Sequence, residues 1–174
     1  MLAVVDDFTR ECLALVADTS LSGARVGREL DAIVTRRGRP ETIVSDNGTE
    51  LTSMAILQWS QETNIEWHYI APGKPQQNAF VESFNGRLRD ELLNETLFTS
   101  LAHARAVLDA RKEDYNTVRP HSGLGNLLPA DYAKRSAPGM QRDGALRPKG
   151  FAPHPVASPS QQGSNGEQTL LIRG

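Results

Sequence analysis

The chain lacks several features that commonly reveal a protein's class. It contains one cysteine, Cys12, in 174 residues. An internal disulfide is therefore excluded, and a lone cysteine among apolar neighbours is typical of core packing. No apolar run approaches the roughly 20 residues that a membrane span requires. The N-terminus has no basic segment of the kind that begins a signal peptide. These absences favour a globular protein of a reducing cytoplasm.

The chain also lacks the excess positive charge that many nucleic-acid-binding proteins carry. Its formal charge is −2 at pH 7. A basic field over the whole surface is therefore excluded, and any contact with nucleic acid depends on local groups. The segment Arg36–Arg39 and the set of Lys74, Arg87 and Arg89 are such groups. Solvated charge at helix ends is the alternative explanation for them.

The motifs of several other enzyme classes are absent. The chain has no Gly-rich phosphate loop and no Gly-x-Ser-x-Gly motif, so NTPases and serine hydrolases find no support. Its four histidines are widely separated, which argues against a zinc site. We expect Trp59 and Trp67 to be core aromatics rather than platforms for stacked bases.

What is present is a succession of strand and helix patterns over the first three quarters of the chain. Alternating and β-branched runs predict strands, and apolar residues at helical spacing predict helices. The predicted elements are strands 2–5 and 12–17 in a hairpin, a helix from Ser20 or Ser22 to Gly38, strand 42–45, helix 54–62, strand 65–70, helix 76–94 and helix 101–115. This order predicts an α/β fold, a mixed sheet with helices on both faces.

The C-terminal segment differs in composition from the rest. Pro, Gly and Ser account for 15 of the 39 residues from 136 to 174, with few large apolar groups. Such a segment buries too little apolar surface to offset the entropy lost on ordering. We therefore predict a core domain of residues 1–135 followed by a disordered tail of residues 136–174.

Two acids stand where catalytic carboxylates occur in α/β proteins. Asp46 ends the predicted strand 42–45 and precedes an Asn-Gly turn, so it lies at the edge of the sheet. Glu82 lies on the predicted helix 76–94, beside its apolar stripe. Carboxylates brought together in this way can hold divalent cations that act on a phosphodiester. An ordinary Asp-Asn-Gly turn and a solvated helix acid are the alternative interpretations.

The helix of Glu82 carries further polar groups on the same face. At about 100° per residue, Asn78, Asn85 and Arg89 project on the side of Glu82. Arg89 can meet a phosphate there, or form a surface ion pair with a neighbouring acid. Gly86 costs about 1 kcal/mol relative to alanine within a helix, which indicates close approach of another backbone or a ligand. The candidate DNA contacts are Lys74, Asn78, Asn85, Arg87 and Arg89.

Four segments together resemble the integrase catalytic core of the IS3 family of insertion-sequence transposases, relatives of retroviral integrases. They are Val4–Arg10, Ser45–Gly48, Pro75–Gly86 and Tyr115–His121. The resemblance covers the chain from Leu2 to about Lys134. The 35 residues between Asp46 and Glu82 match the spacing that names the family's Asp-Asp-35-Glu signature.

The resemblance implies a ribonuclease-H-like fold in which Asp46 and Glu82 are catalytic and bind metal. It implies a two-metal site for Mg²⁺ or Mn²⁺, and cleavage and joining of DNA strands. The implied partners are double-stranded DNA, as element ends and target, and further copies of the chain in a homo-oligomer. A helix-turn-helix reader, which this sequence lacks, is implied upstream or on a partner polypeptide. The resemblance also implies a location in the bacterial cytoplasm and no membrane partner.

The chain departs from the family at the first acid. The family's first aspartate lies in a Trp-x-x-Asp-like segment of the first strand, which is central in the sheet and well before the second aspartate. Asp6 and Asp7 align instead with the end of the second strand, outside the metal site. We therefore predict a ribonuclease-H-like sheet whose first, central strand is missing, in a chain that begins late in the family's core.

Two consequences are expected from this departure. The chain alone is inactive, because a site made of Asp46 and Glu82 lacks its bridging carboxylate and the chemistry depends on positioned charge. Backbone groups beside the missing strand are unpaired, which predicts marginal stability, aggregation or repair by another segment. We regard Thr169–Ile172 of the tail as a poor candidate for that repair.

Two other functions remain open from the sequence. One is a non-catalytic remnant that binds DNA or transposase subunits. The other is a ribonuclease-H-like nuclease unrelated to transposition, which the segments around Glu82 and Tyr115 disfavour. The motif from Tyr115 to His121 either docks the C-terminal extension or contacts DNA.

Overall fold

The structure of the chain, a computed structural model, describes residues 1–70, 79–136 and 168–173. Its strands are β1 (Leu2–Asp6), β2 (Cys12–Val16), β3 (Thr42–Ser45), β4 (Glu66–Tyr69) and β5 (Gln168–Arg173). Its helices are α1 (Gly23–Arg37), α2 (Met54–Thr63), α3 (Ala79–Leu88), α4 (Leu101–Thr117) and α5 (Pro129–Ser136). A π-helical turn, Arg89–Leu93, continues α3, and a 3₁₀ turn, Ser122–Leu124, follows α4. No helix in these ranges is long and apolar enough to cross a membrane.

The five strands form one mixed sheet in the order β2-β1-β5-β3-β4. β1 and β2 are an antiparallel hairpin, and β3 pairs with β4 in parallel. The four strands that precede α3 agree with the predicted strands to within one residue at each end. Their alternating and β-branched runs are strong local signals, so the prediction of a mixed sheet with flanking helices is confirmed.

The central position of the sheet, predicted to be without a strand, is held by β5. This strand pairs in parallel with β1, from Leu2 beside Gln168 to Asp6 beside Ile172. On its other side it pairs antiparallel with β3, where Ser45 faces Leu170. The backbone groups that the inner edges of β1 and β3 would leave unpaired are satisfied by β5.

The expectation of disorder was therefore wrong for the end of the tail. Leu170, Leu171 and Ile172 are 0, 2 and 6% exposed. The prediction overlooked this segment because a short apolar run among many Pro, Gly and Ser residues is a weak local signal, whereas two open strand edges stabilise it from a distance. Residues 137–167 lie outside the described residues, and their disorder stays a prediction.

Apolar side chains cover both faces of the sheet. On one face the α1–α2 cluster contains Leu2, Val4, Val26, Leu30, Ile43, Ile56, Trp59, Leu170 and Ile172. On the other face the α3–α4 cluster contains Ala3, Val5, Val44, Val81, Phe84, Leu88, Leu108, Tyr115 and Leu171. Successive strand residues point to opposite faces, so each central strand contributes to both clusters.

Local sequence signals account for the helix ends. The side chain of Ser22 accepts from the backbone N–H of Arg25 and caps α1, and Ser100 caps α4 in the same way through His103. Gly38 ends α1 with a positive φ of 88°, which glycine adopts without strain. Helix α5 was not predicted, since the Gly- and Pro-rich sequence after His121 favoured irregular structure.

The predictions for the aromatic and sulfur-containing side chains also hold. Trp59 is buried, packs edge to face with Trp67 at a centroid distance of 6.3 Å, and donates its indole N–H to Asp31 at 2.7 Å. Cys12 is buried, and burial raises the pKa of its thiol to about 12. Such a thiol remains protonated and inert at neutral pH.

Candidate metal-ion and nucleic-acid site

Asp46 lies immediately after β3, at the strand end that faces the start of β5. Its Oδ1 accepts the backbone N–H of Gly48 at 3.0 Å, which forms the tight turn that the Asp-Asn-Gly sequence predicts. The hydroxyl of the buried Ser45 donates to the backbone carbonyl of Asp46 at 2.9 Å. The indole N–H of Trp67 donates in turn to the Ser45 hydroxyl at 3.0 Å. These bonds fix the direction in which the half-buried carboxylate leaves the sheet.

The loop after Asp46 is fastened to the end of β4. The phenol of Tyr69 donates to the backbone carbonyl of Leu51 at 3.0 Å. The backbone N–H of Ile70 donates to the carbonyl of Ser45 at 2.9 Å. The loop therefore has partners on the neighbouring strand, and it holds Asp46 on rigid elements rather than on a free turn.

The surroundings of Asp46 disfavour its negative charge. Burial raises the pKa of its carboxyl above the ordinary value, the N–H of Gly48 acts in the opposite direction, and the nearby charge of Glu50 raises it further. A bound cation would stabilise the ionised carboxylate in these surroundings, because its charge offsets both the burial and the repulsion from Glu50. Glu50 was not among the predicted site residues, although its position four residues after Asp46, across a turn, was a usable signal.

Glu82 lies in the first turn of α3 and is exposed. The helix packs on the sheet through Val81, Phe84 and Leu88, which are all buried. The predicted apolar stripe is therefore present, and Glu82 lies next to it on the surface of the helix.

The first turn of α3 contacts the hairpin of β1 and β2. The guanidinium of Arg10 lies over the ring of Phe80, 4.3 Å from its centroid. Arg10 belongs to the hairpin turn, which follows Asp6, and Asp46 lies at the opposite end of the strands. The close acidic neighbour of Asp46 in the described residues is thus Glu50. The convergence of Asp46 and Glu82 stays a prediction.

The described residues do not make up a two-metal centre. No three His, Cys, Asp or Glu side chains within residues 1–70, 79–136 and 168–173 are grouped as a metal site requires. Asp46 and Glu50 supply carboxylates of the kind that Mg²⁺ and Mn²⁺ prefer, but two such groups give fewer protein ligands than a two-metal site uses. The donor set at this strand end does not fit two metals.

Asp6 and Asp7 lie far from Asp46, at the other end of β1. Asp6 accepts the backbone N–H groups of Phe8 and Thr9 at 2.8 and 3.0 Å and so shapes the hairpin turn. Asp7 forms an ion pair of 2.8 Å with Arg10. Both acids therefore stabilise the hairpin turn, and their place outside a metal site stays a prediction.

The candidate DNA contacts are only partly within the described residues. Lys74 and Asn78 lie outside them. Arg87 and Arg89 are exposed near the end of α3, and Asn85 is half-buried. Two residues apart on a helix, Arg87 and Arg89 do not face each other, so they are two separate candidate cations near the junction of α3 and the π-helical turn.

Arg87 also acts on the aromatic groups beneath it. Burial lowers the pKa of His121, and the charges of Arg87 and Arg10 lower it further. Burial raises the pKa of the Tyr115 phenol, which these arginines partly oppose. Burial and the two nearby arginines thus all disfavour the charged form of His121.

The motif from Tyr115 to His121 holds the core together. The ring of Tyr115 packs edge to face with Phe84, at 5.0 Å, and with His121, at 4.7 Å. Arg119 forms ion pairs with Asp114 and Glu91. These contacts join α4 to α3, and His121 also forms an isolated β-bridge with Leu127 of the segment that follows. Contact of this motif with DNA stays a prediction.

Comparisons with known proteins agree with this architecture. Two models described as "Integrase core domain" match residues 1–75 and 63–129. An uncharacterized 31.7 kDa protein of insertion element IS407 from Burkholderia multivorans is 49% identical over 134 residues, which cover 77% of this chain and 48% of that protein. An uncharacterized 39.2 kDa protein of insertion element IS476 from Xanthomonas euvesicatoria is 51% identical over 132 residues, covering 76% of this chain and 38% of that protein.

More distant relatives include a named transposase. Transposase InsF for insertion sequence IS3A from Escherichia coli is 26% identical over 139 residues, covering 78% of this chain and 48% of that protein. The chain thus spans about half or less of the length of these curated relatives.

Solved structures share the fold at low sequence identity. The HTLV-2 integrase catalytic core domain in complex with magnesium, in its trimeric form, matches with a TM-score of 0.56 and 14% identity, over 74% of this chain and 80% of that one. A simian T-cell lymphotropic virus intasome matches with a TM-score of 0.60 and 16% identity, over 86% of this chain and 52% of that one. The fold is ribonuclease-H-like, and the chain belongs to the integrase core domain family that insertion-sequence transposases share.

Proposed function

We propose that this chain is the core of an insertion-sequence transposase, which acts in DNA transposition on the double-stranded ends of the element and on target DNA. One observation carries the proposal. A half-buried aspartate, Asp46, stands at the end of a sheet strand in a chain that belongs to the integrase core domain family, with its charge opposed by burial and by Glu50. Such a carboxylate is suited to binding a divalent cation that acts on a phosphodiester.

Asp46 and Glu82 are the proposed catalytic and metal-binding acids, and Mg²⁺ or Mn²⁺ is the proposed cofactor. The magnesium in the HTLV-2 integrase core supports the choice of metal. The chain alone is proposed to be inactive in strand cleavage, because a site made of Asp46 and Glu82 lacks its bridging carboxylate. The lack of a three-acid group among the described residues supports this. We also propose that the chain assembles as a homo-oligomer on DNA, with a partner polypeptide that carries a helix-turn-helix. The proposed location is the bacterial cytoplasm.

DNA binding is tested by fluorescence anisotropy with a labelled duplex over a range of salt concentrations. Arg87→Ala and Arg89→Ala should each weaken binding and lower the slope of log affinity against log salt by about 0.9 per phosphate contact removed. Arg28→Ala is the matched control, since Arg28 is exposed on α1, which packs on the other face of the sheet. Equal losses in all three variants would show that binding is not localised on α3.

Cleavage is tested with supercoiled plasmid and Mn²⁺. Nicking by the chain should not exceed that of Asp46→Asn and Glu82→Gln. Metal-dependent nicking that disappears in both variants would refute the proposed inactivity and would establish the two acids as catalytic.

A second candidate function is a non-catalytic protein that binds DNA or transposase subunits. The lack of a three-acid group among the described residues favours it. Salt-sensitive DNA binding together with unchanged plasmid, even when Mn²⁺ is present, is the expected signature. Inhibition of a complete transposase by added chain distinguishes this role from simple loss of function.

A further inference from the structure

Among the described strands, β5 is the one that links the two halves of the sheet by backbone hydrogen bonds. The β1–β2 hairpin lies on one side of it and the β3–β4 pair on the other. β5 pairs in parallel with β1 over residues 168–172 and antiparallel with β3 over residues 170–173. The inner edges of β1 and β3 therefore form a slot one strand wide, in which every backbone group needs a partner.

Side chains and end contacts make the slot selective. Leu170 and Ile172 enter the α1–α2 cluster, and Leu171 enters the α3–α4 cluster. The backbone carbonyl of Ile172 accepts from Asp7 at 2.8 Å, and that of Arg173 accepts from Glu41 at 2.9 Å. A strand in the slot thus needs apolar side chains on both faces and a defined direction.

A charge fixes the outer end of the strand. The guanidinium of Arg173 lies 2.8 Å from the carboxylate of Asp7, at an angle that forms an ion pair but no hydrogen bond. A cation at this position of the strand matches an anion at the end of β1. The slot therefore favours an apolar strand that ends in a basic residue.

The connection to the rest of the chain is long. Thirty-one residues, 137–167, separate α5 from β5. At up to about 3.3 Å per residue, such a length reaches across a small domain and into a neighbouring one. A strand that completes a sheet from a distant part of the chain can equally be supplied by another molecule.

We propose that the slot between β1 and β3 is an acceptor site for an extended peptide strand, and that a second copy of this chain can fill it with its own Gln168–Arg173. The internal strand competes at the effective concentration set by the connection, so the exchanged dimer forms at high protein concentration. The site is specific for sequence and direction.

The acceptor site is tested on the full chain with a protease site inserted among residues 137–167. The folded protein is cut, and a fluorescent peptide of residues 167–174 is added. We expect the cut C-terminal fragment to stay bound during gel filtration and to be replaced by excess labelled peptide, with a rise in anisotropy. A peptide carrying Leu171→Asp should bind on the order of 100-fold more weakly, because it places a charge among apolar side chains.

A peptide with the reversed sequence is the control of equal composition. If it enters as well as the natural peptide, or if neither peptide enters after the cut, the acceptor site is refuted. Entry of the natural peptide alone supports it.

Exchange between copies is tested in the uncut chain with Asp7→Cys and Arg173→Cys together. The two positions lie side by side at the end of β1 and β5, so a disulfide records whose strand fills the slot. Two versions of different length are unfolded, mixed, refolded at low and at high concentration, oxidised, and separated on a non-reducing gel. A mixed disulfide dimer that increases with concentration is expected, whereas intrachain disulfides alone at every concentration would overturn the exchange.

Discussion

The side chain of Asn116 pairs with both backbone groups of Cys12. Its Oδ1 accepts the Cys12 N–H at 2.8 Å, and its Nδ2 donates to the Cys12 carbonyl at 2.9 Å. Cys12 begins β2, which is an edge strand. The amide thus acts as one residue of an additional strand, and it fixes the end of α4 to the sheet.

Asn116→Ala is expected to lower the free energy of unfolding by about 1–3 kcal/mol, because two backbone groups lose their partner. Thr117→Ala is the matched control. Its hydroxyl donates to the carbonyl of Glu113 on the exposed side of α4, and its loss should cost less than about 0.5 kcal/mol. Urea unfolding measures both. Equal effects of the two substitutions would mean that Asn116 does not anchor the helix.

Leu170→Ala tests whether β5 is part of the folded core. The side chain is fully buried in the α1–α2 cluster, so its truncation should cost about 2–5 kcal/mol. Leu97→Ala makes the same chemical change at a residue that is 86% exposed, and should alter stability by less than about 0.5 kcal/mol. Thermal and urea unfolding followed by circular dichroism provide the comparison. If the Leu170→Ala chain is as stable as the Leu97→Ala chain, β5 is not part of the folded sheet.

Gly86→Ala should stabilise the chain. No described atom lies within 4 Å of the position that a Cβ would take at Gly86, so a helix of the same shape gains about 0.5–1 kcal/mol from the alanine. At Gly27 in α1 the new Cβ would lie 3.3 Å from the Trp59 ring, and the gain should be smaller or reversed. A loss of stability at Gly86 would contradict the prediction. If Gly86→Ala stabilises the chain and also weakens DNA binding, the close approach expected from the sequence is made by the DNA.

Asp46→Asn should stabilise the chain at neutral pH. The pKa of Asp46 is raised in the folded state, by burial first and by Glu50 second, so ionisation of Asp46 favours unfolding. Stability is then lost as pH rises from the unfolded pKa through the folded pKa. The advantage of Asp46→Asn should be full above the folded pKa and vanish below the unfolded value, near about 3.9.

The measurement is the difference in unfolding free energy between the two proteins across this pH range. Glu113→Gln, at an exposed position on α4, serves as the control substitution. Added Mg²⁺ should reduce the advantage of Asp46→Asn if the carboxylate binds the ion. An advantage that grows toward acid pH would reverse the sign and disprove the assignment.

Local patterns predicted most of the sheet and its helices, but not the partner of each strand. The runs in β1 and β3 identify strands whatever lies beside them. The choice of β5 as their neighbour depends on backbone groups more than a hundred residues away in sequence, and composition alone indicated disorder there.

At the candidate site, too, local sequence predicted one part and long-range folding determined the rest. The position of Asp46 followed from an apolar strand that ends at an Asp-Asn-Gly turn. The influence of Glu50 depends on how the next turn folds back, where Leu51 and Thr52 donate to the carbonyl of Gly48. The convergence of Asp46 and Glu82 is a contact between distant parts of the chain, which local pattern does not define, and it stays a prediction.

The alternation of β5 has a consequence for how the molecule melts. Its neighbouring side chains Leu170 and Leu171 lie in opposite hydrophobic layers. Withdrawing this one segment opens both layers at once, so neither can loosen while the other stays intact. Heating should therefore yield a single calorimetric peak, because loss of the six residues of β5 unfolds the whole molecule.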